Sequence, residues 1–199
     1  METISKVLFW VANSLLIPDI IILLILFVRS LLLTGSFYNQ FITKQKNDKL
    51  LDLSIKTLSS ETSENLRNNL PKKDNSLYIK YLRDLLTHRP DVTYSDFLIS
   101  NFEGEAEKDI AVSKLLAKLG PVLGLIGTLI AMSPALVGLS SGDISGMAYN
   151  MQVVFATTVV GLVVSAVGLV TLQFKQRWYA KETNNLDYVA QVLTQDLQK

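Results

Sequence analysis

Two adjacent threonines, Thr157 and Thr158, interrupt an otherwise apolar stretch near the end of the chain, in the segment FATTVVGL. A hydroxyl group can donate one hydrogen bond and accept others without carrying a charge. Within a membrane such a group can line a water-filled ion path. It can equally bond to a carbonyl of its own helix and pack among apolar neighbours. The periodicity of the sequence leaves both interpretations open.

Few other residues in the chain have types suited to chemistry. The sequence has no cysteine, and its one histidine, His88, stands in a polar context typical of a surface residue. It contains no phosphate-binding loop, no nucleophile paired with a base and no metal-ligand spacing, so we expect neither an enzyme nor a bound cofactor or metal. A net charge of +1 gives no indication of a nucleic-acid partner.

Three apolar segments are long enough to cross a lipid bilayer, which requires about 20 residues in a helix. The first lies within residues 7–33, the second spans about 120–139 and the third about 151–174. The second and third contain no charged residue, and the start of the first lacks the basic region of a cleaved signal peptide. The sequence therefore predicts an all-α membrane protein with three transmembrane helices.

Lysine and arginine residues predict the orientation, because they favour the cytoplasmic side of a membrane. They follow the first segment, precede the second and follow the third, and they are absent from the loop between the second and third. We therefore expect the N-terminus and this loop to lie outside. The expected parts are an N-terminus with the first membrane helix (1–33), a cytoplasmic helical region (34–119), a channel region with the other two membrane helices (120–174) and a cytoplasmic C-terminal helix (175–199).

Within the region expected to be cytoplasmic, apolar spacing predicts a short amphipathic helix at 50–58, a polar linker at 59–76 and a helix at 76–89. Thr93 is predicted to cap a further helix that begins at Tyr94 and runs directly into the second membrane segment. Apolar repeats in the C-terminal tail predict that the third membrane segment also continues as a helix.

Small residues line one face of each of the last two membrane segments. At about 100° per residue, they cover an arc of about 100° in the second segment and about 120° in the third, with Thr158 on its flank. Small residues allow close approach of helix backbones in lipid, so we expect these faces to pack against other helices. The second segment contributes Gly120, Gly124, Gly127, Thr128, Ala131, Ala135 and Gly138, and the third contributes Thr157, Gly161, Ser165, Gly168 and Thr171.

The two segments LGPVLGLIGTLIAM and FATTVVGLVVSAVGL together resemble the MotA/TolQ/ExbB proton channel family. The resemblance covers about residues 115–176 and rests on a GxxGT segment followed by a TTxxGL segment. The arrangement of three membrane segments, with a long insertion before the second, is similar to the ExbB and TolQ branch, whereas MotA has four segments.

The resemblance implies an ion-conducting, proton-driven stator subunit in the cytoplasmic (inner) membrane. In the family, five copies form a ring, and a dimer of an ExbD-, TolR- or MotB-like protein threads one membrane helix per chain through the pore. That partner supplies an essential aspartate. By motif match, Thr128 and Thr158 are the pore threonines that would hydrogen-bond the carboxylate or its water chain, and Thr157 is the third candidate.

Two departures from the family pattern bear on the ion path. Many relatives carry a glutamate five residues before the pore threonine of the third segment, where this chain has Val153, and a proline common in relatives is absent beside Gly168. A sodium-coupled or non-conducting membrane scaffold is therefore the alternative. Asp19 could replace the missing carboxylate, but Pro18 is expected in the first turn of a helix, which would put Asp19 at the outer interface, away from the ion path.

Overall fold

The computed structural model describes residues 2–56, 76–88 and 91–196, with side chains at 3–4, 6–45, 76–87 and 91–194. Every regular element within these ranges is an α-helix, and three of the helices are each long and apolar enough to cross a membrane. The predicted all-α class with three such helices is therefore confirmed. The helices are α1 (Glu2–Lys56), α2 (Leu77–His88), α3 (Val92–Ser141) and α4 (Ile144–Asp196).

Some helix boundaries differ from those that the sequence predicted. Residues 50–56 form the end of α1 and not a separate short helix. Thr93 is not the N-cap of α3, because that helix begins at Val92, whose N–H donates to Asp91 Oδ1 at 2.7 Å. Aspartate is the stronger capping residue of the two. The predicted linker at 59–76 lies outside the described residues except for Ser76, as does the side chain of His88.

The position of Pro18 also differs from the prediction. Because α1 begins at Glu2, Pro18 lies in the helix interior, and Asp19 lies about 25 Å along the helix from its start. Proline has no N–H to donate to the carbonyl of Ser14, but apolar residues on both sides continue the helix, and membrane helices tolerate proline. The prediction that Asp19 lies near a helix N-terminus is therefore wrong.

A two-residue turn, Gly142 and Asp143, joins α3 to α4. Gly142 adopts a φ of 77°, and the N–H of Asp143 donates to the Gly138 carbonyl at 2.9 Å, which ends α3 in the manner that glycine favours. Asp143 Oδ1 then accepts the Gly146 N–H at 2.8 Å and caps α4. The turn reverses the chain, so that α4 runs back antiparallel to α3.

The chain forms two compact units, of which the first consists of Met1–Ser36 and Val112–Leu172. We call it the apolar unit. Inside it, Leu26 of α1 packs against Leu116 of α3 and Val164 of α4. Many other large apolar side chains of this unit are exposed in the single chain, as expected for helices that face lipid or other helices.

The second unit consists of Phe37–Ala111 and Gln173–Lys199, and we call it the amphipathic unit. Its core surrounds Phe102, which is fully buried and lies edge-on to Tyr81, with the ring centroids 5.6 Å apart. The core also contains Ile79, Leu82, Leu85, Leu98, Leu186 and Val189.

A buried ion pair also joins helices within the amphipathic unit. Lys175 Nζ lies 2.7 Å from Asp109 Oδ2, and the side chain of Lys175 is only 4% exposed. The Tyr179 hydroxyl donates to the same carboxylate oxygen, also at 2.7 Å. The Asp109 carboxylate thus compensates the charge of an ammonium group that would be costly to bury alone.

Candidate functional site

The small-residue faces of α3 and α4 meet directly within the apolar unit. An ideal Cβ placed on Gly120 would lie 2.5 Å from the carbonyl oxygen of Gly161, and one placed on Gly161 would lie 2.5 Å from that of Gly120. Gly168 lies equally close to the backbone of Ala117, and Gly124 is in contact with the backbone of α4. The two backbones approach closely at these positions because no side chain separates them.

Two buried hydroxyl groups connect the same pair of helices. Ser165 Oγ donates to the carbonyl of Ala117 at 3.0 Å, and Thr171 Oγ1 is hydrogen-bonded to Ser113 Oγ at 3.1 Å. Ser113 and Ala117 precede the membrane segment that the sequence predicted, so the sequence analysis missed them. The helical repeat could have identified Ser113, since it stands seven residues before Gly120 and so lies on the same face of the helix.

The three predicted pore threonines occupy different environments. Thr157 is buried, whereas Thr128 and Thr158 are partly exposed in the single chain. Thr128 Oγ1 donates to the Leu125 carbonyl at 2.7 Å, within α3. Thr157 and Thr158 both donate to the carbonyl of Val154, at 3.0 and 3.1 Å. All three hydroxyls thus bond to their own helices, as hydroxyls in apolar helices commonly do.

Thr157 and Thr158 also lie against α3. An ideal Cβ on Gly124 would lie 3.2 Å from the Thr157 carbonyl oxygen and 3.5 Å from the Thr158 Cα. The recorded hydrogen bond of Thr128 stays within its own helix. The structure therefore brings Thr157 and Thr158 to the α3–α4 contact and leaves Thr128 at its partly exposed edge.

The structure adds Asp19 to this site, where the sequence analysis did not expect it. Asp19 is only 5% exposed, and neither of its carboxylate oxygens has a hydrogen-bond partner in the part of the chain that the structure describes. An ideal Cβ on Gly127 would lie 2.9 Å from Asp19 Oδ2 and 2.9 Å from the Thr157 Cβ. The missing side chain of Gly127 therefore leaves the space in which Asp19 and Thr157 meet.

Carboxylates are scarce around these residues. Among the side chains described in the apolar unit, only Asp19 and Asp143 carry one, and Asp143 is exposed in the turn between α3 and α4. Val153 is partly buried, and its carbonyl accepts a hydrogen bond from Thr157 Oγ1 at 3.1 Å. An acidic residue within an apolar run is the sequence signal that could have identified Asp19. The signal was set aside because the helix was expected to begin near Pro18, whereas α1 begins at Glu2.

One family model matches part of this chain. The model of the MotA/TolQ/ExbB proton channel family matches residues 96–188, slightly less than half of the chain. This region contains both small-residue faces and all three threonines. A search of curated proteins finds no match.

Proposed function

We propose that this chain is a proton-conducting stator subunit of the cytoplasmic membrane, because its residues 96–188 match the model of the MotA/TolQ/ExbB proton channel family. The family is one of channels and stators and not of enzymes, and it implies a proton-channel, stator-type function. In this proposal the subunit couples the proton gradient to mechanical work or energy transduction through an ExbD-, TolR- or MotB-like single-span protein. The family match carries the proposal, and the contact between the GxxGT and TTxxGL segments supports it.

The working form would be a homopentamer in which α3 and α4 line a pore. Thr128 and Thr158 would face that pore, and their partial exposure in the single chain supports this role. An aspartate of the partner is costly to bury as an ion unless it is solvated or hydrogen-bonded. A threonine hydroxyl can donate to the carboxylate and accept from the protonated acid, without holding the ion by a charge of its own.

The test is a double variant, Thr128→Val with Thr158→Val, co-reconstituted with a single-span ExbD/TolR/MotB-type partner in vesicles that contain a pH-sensitive dye. The driving force is an imposed potential, which supplies about 2.3 kcal/mol per charge per 100 mV. We expect the complex to assemble, because valine and threonine have similar volumes. We expect proton flux to be lost, because the two substitutions remove both hydroxyl groups. Thr43→Val is the matched control, since Thr43 also bonds to its own helix, at the Asn39 carbonyl, and is exposed outside the apolar unit. Normal flux in the double variant would contradict the pore role.

Val153 favours a second candidate, a sodium-coupled or non-conducting scaffold of the same architecture. The position where relatives carry a glutamate is apolar here, so the membrane segment of α4, residues 151–174, contains no carboxylate that could bind a proton. The same vesicles distinguish the candidates. Proton flux without sodium supports the channel, flux only with a sodium gradient supports sodium coupling, and no flux at any potential supports the scaffold.

A further inference from the structure

Asp19 is an acidic residue enclosed within the apolar unit, where its carboxyl group lies between α3 and α4. Both of its oxygens are removed from solvent and have no hydrogen-bond donor among the described residues. Oδ2 lies above Gly127, whose absent side chain leaves room for it. The atoms of Thr157 that lie nearest to an ideal Cβ on Gly127 are its Cβ and Cγ2.

The charged groups of the surrounding helices are remote from this carboxyl group. Along α1, Arg29 is ten residues away, or about 15 Å. Lys118 is nine residues from Gly127 along α3, or about 14 Å. No other ionisable residue with a described side chain in the apolar unit forms an ion pair or a hydrogen bond with Asp19. These residues are Lys6, Arg29, Lys114, Lys118, Asp143 and Tyr149.

An ionised carboxylate without a counter-ion or a donor is strongly disfavoured in such surroundings, and the group is neutral instead. A bound metal cation would need several oxygen ligands in place of its hydration shell. A proton neutralises the carboxyl group without any further oxygen ligand.

We propose that Asp19 is a proton-binding group of the apolar unit, held as the neutral carboxylic acid in the space above Gly127, and that it supplies within this chain the carboxylate that position 153 lacks. The first part stands on the geometry alone, and the second rests on the proposed function.

Two neighbouring hydroxyl groups of α4 lie on this side of the unit, although neither is hydrogen-bonded to Asp19. Thr157, beside Asp19, and Thr158, at the partly exposed position, donate to the same carbonyl of Val154. A single turn of α4 thus carries one hydroxyl in the buried face and one at the face proposed to line the pore.

Carbodiimide labelling tests the first part on the purified full chain in lipid vesicles. Dicyclohexylcarbodiimide reacts with a protonated carboxyl group: the acid O–H adds across one C=N bond, and the adduct rearranges to an N-acylurea. The Asp19 peptide then gains the mass of one reagent molecule. At near-neutral pH we expect labelling of Asp19 but not of exposed Asp143, with less labelling as the pH rises and no dependence on sodium.

Variants and a second measurement keep this test decisive. Asp19→Asn keeps the shape of the neutral acid, so we expect it to fold normally, to remain unlabelled and to lack the infrared carbonyl band of a protonated acid that the wild type shows. Gly127→Ala displaces the carboxyl group and should reduce labelling several-fold, whereas Gly35→Ala, with no atom within 4 Å of the added Cβ, should not. Protection of Asp19 by sodium at fixed pH would overturn the assignment to a proton. Absence of both the label and the infrared band would overturn the site.

Proton flux tests the second part in the vesicles with the single-span partner. We expect Asp19→Asn to lose most of the flux while assembly is retained. Labelled Asp19 with unchanged flux in Asp19→Asn would overturn the transport role and leave the proton site. If the wild type conducts no protons, the proposed function and the transport role both fail, while the labelling result still decides the first part.

Discussion

Gly120 and Gly161 face each other across the α3–α4 pair so closely that a Cβ on either would lie 2.5 Å from the carbonyl oxygen of the other. The obstacle on each side is backbone, which cannot turn away as a flexible side chain can. This contact holds together the two helices that carry the threonines. It also explains why both of these positions are occupied by glycine.

We expect Gly120→Ala and Gly161→Ala to destabilise the apolar unit by about 1–3 kcal/mol or more, because overpacking forces the backbones apart. Thermal unfolding in detergent, followed by circular dichroism, measures the effect. Gly35→Ala and Gly104→Ala are the controls, since both glycines are helical and open around the added Cβ. There alanine should be neutral or stabilise the helix by up to about 1 kcal/mol. Equal effects at all four positions would contradict the role of the contact.

The bond from Ser165 to the Ala117 carbonyl predicts a smaller effect. Ser165→Ala removes one buried interhelical hydrogen bond and should cost about 0.6 kcal/mol, the typical value between membrane helices. Ser140→Ala is the matched control, because the Ser140 hydroxyl is exposed and bonds only to the Val137 carbonyl of its own helix. A shift of the unfolding midpoint in the control as large as that in Ser165→Ala would argue against an interhelical contribution.

In the amphipathic unit, Asp109→Asn should cost about 1–3 kcal/mol, because it removes the counter-charge of buried Lys175. Full loss of a buried pair costs more, but Asp109 itself is partly exposed to water. Adding Lys175→Met should recover part of the loss, since no uncompensated ammonium group then remains. Denaturant unfolding of the single and double variants measures the coupling.

The exposed pair of Lys80 and Glu105, 3.9 Å apart, supplies the control for that experiment. Lys80→Gln should change the free energy of unfolding by less than about 1 kcal/mol, because water screens the pair. An equal loss of unfolding free energy in Lys80→Gln and Asp109→Asn would show that the burial of Lys175 does not determine how much the ion pair contributes to stability.

Substitution of Phe102 should cause the largest loss of stability among the changes in the amphipathic unit. Phe102→Ala should cost about 3–5 kcal/mol, because the ring is fully buried among Tyr81 and its neighbours. Phe97, on the same helix, is 59% exposed, so Phe97→Ala should stay within about 0.5 kcal/mol of the wild type. Comparable destabilisation by the two alanines would contradict the assigned core.

Apolar length and helical spacing determined much of this protein from the sequence alone. Runs of about 20 apolar residues predict helices because only internally hydrogen-bonded elements can cross a bilayer, and three such helices are present. The paired GxxGT and TTxxGL segments indicated the same family whose model matches residues 96–188. Both kinds of signal are local, so they need no knowledge of what each helix contacts.

Only the tertiary structure decided which groups meet. Asp19 and Thr157 are 138 residues apart in the chain, and no spacing rule connects them; they meet because α1 packs against the α3–α4 pair at Gly127. Pro18 was predicted in the first turn of a helix from its residue type alone, but in α1 the apolar residues before Pro18 belong to the same helix. The sequence therefore determined the helices and the motifs that match the family model, because these depend on local composition, whereas the burial of Asp19 depends on packing between distant segments.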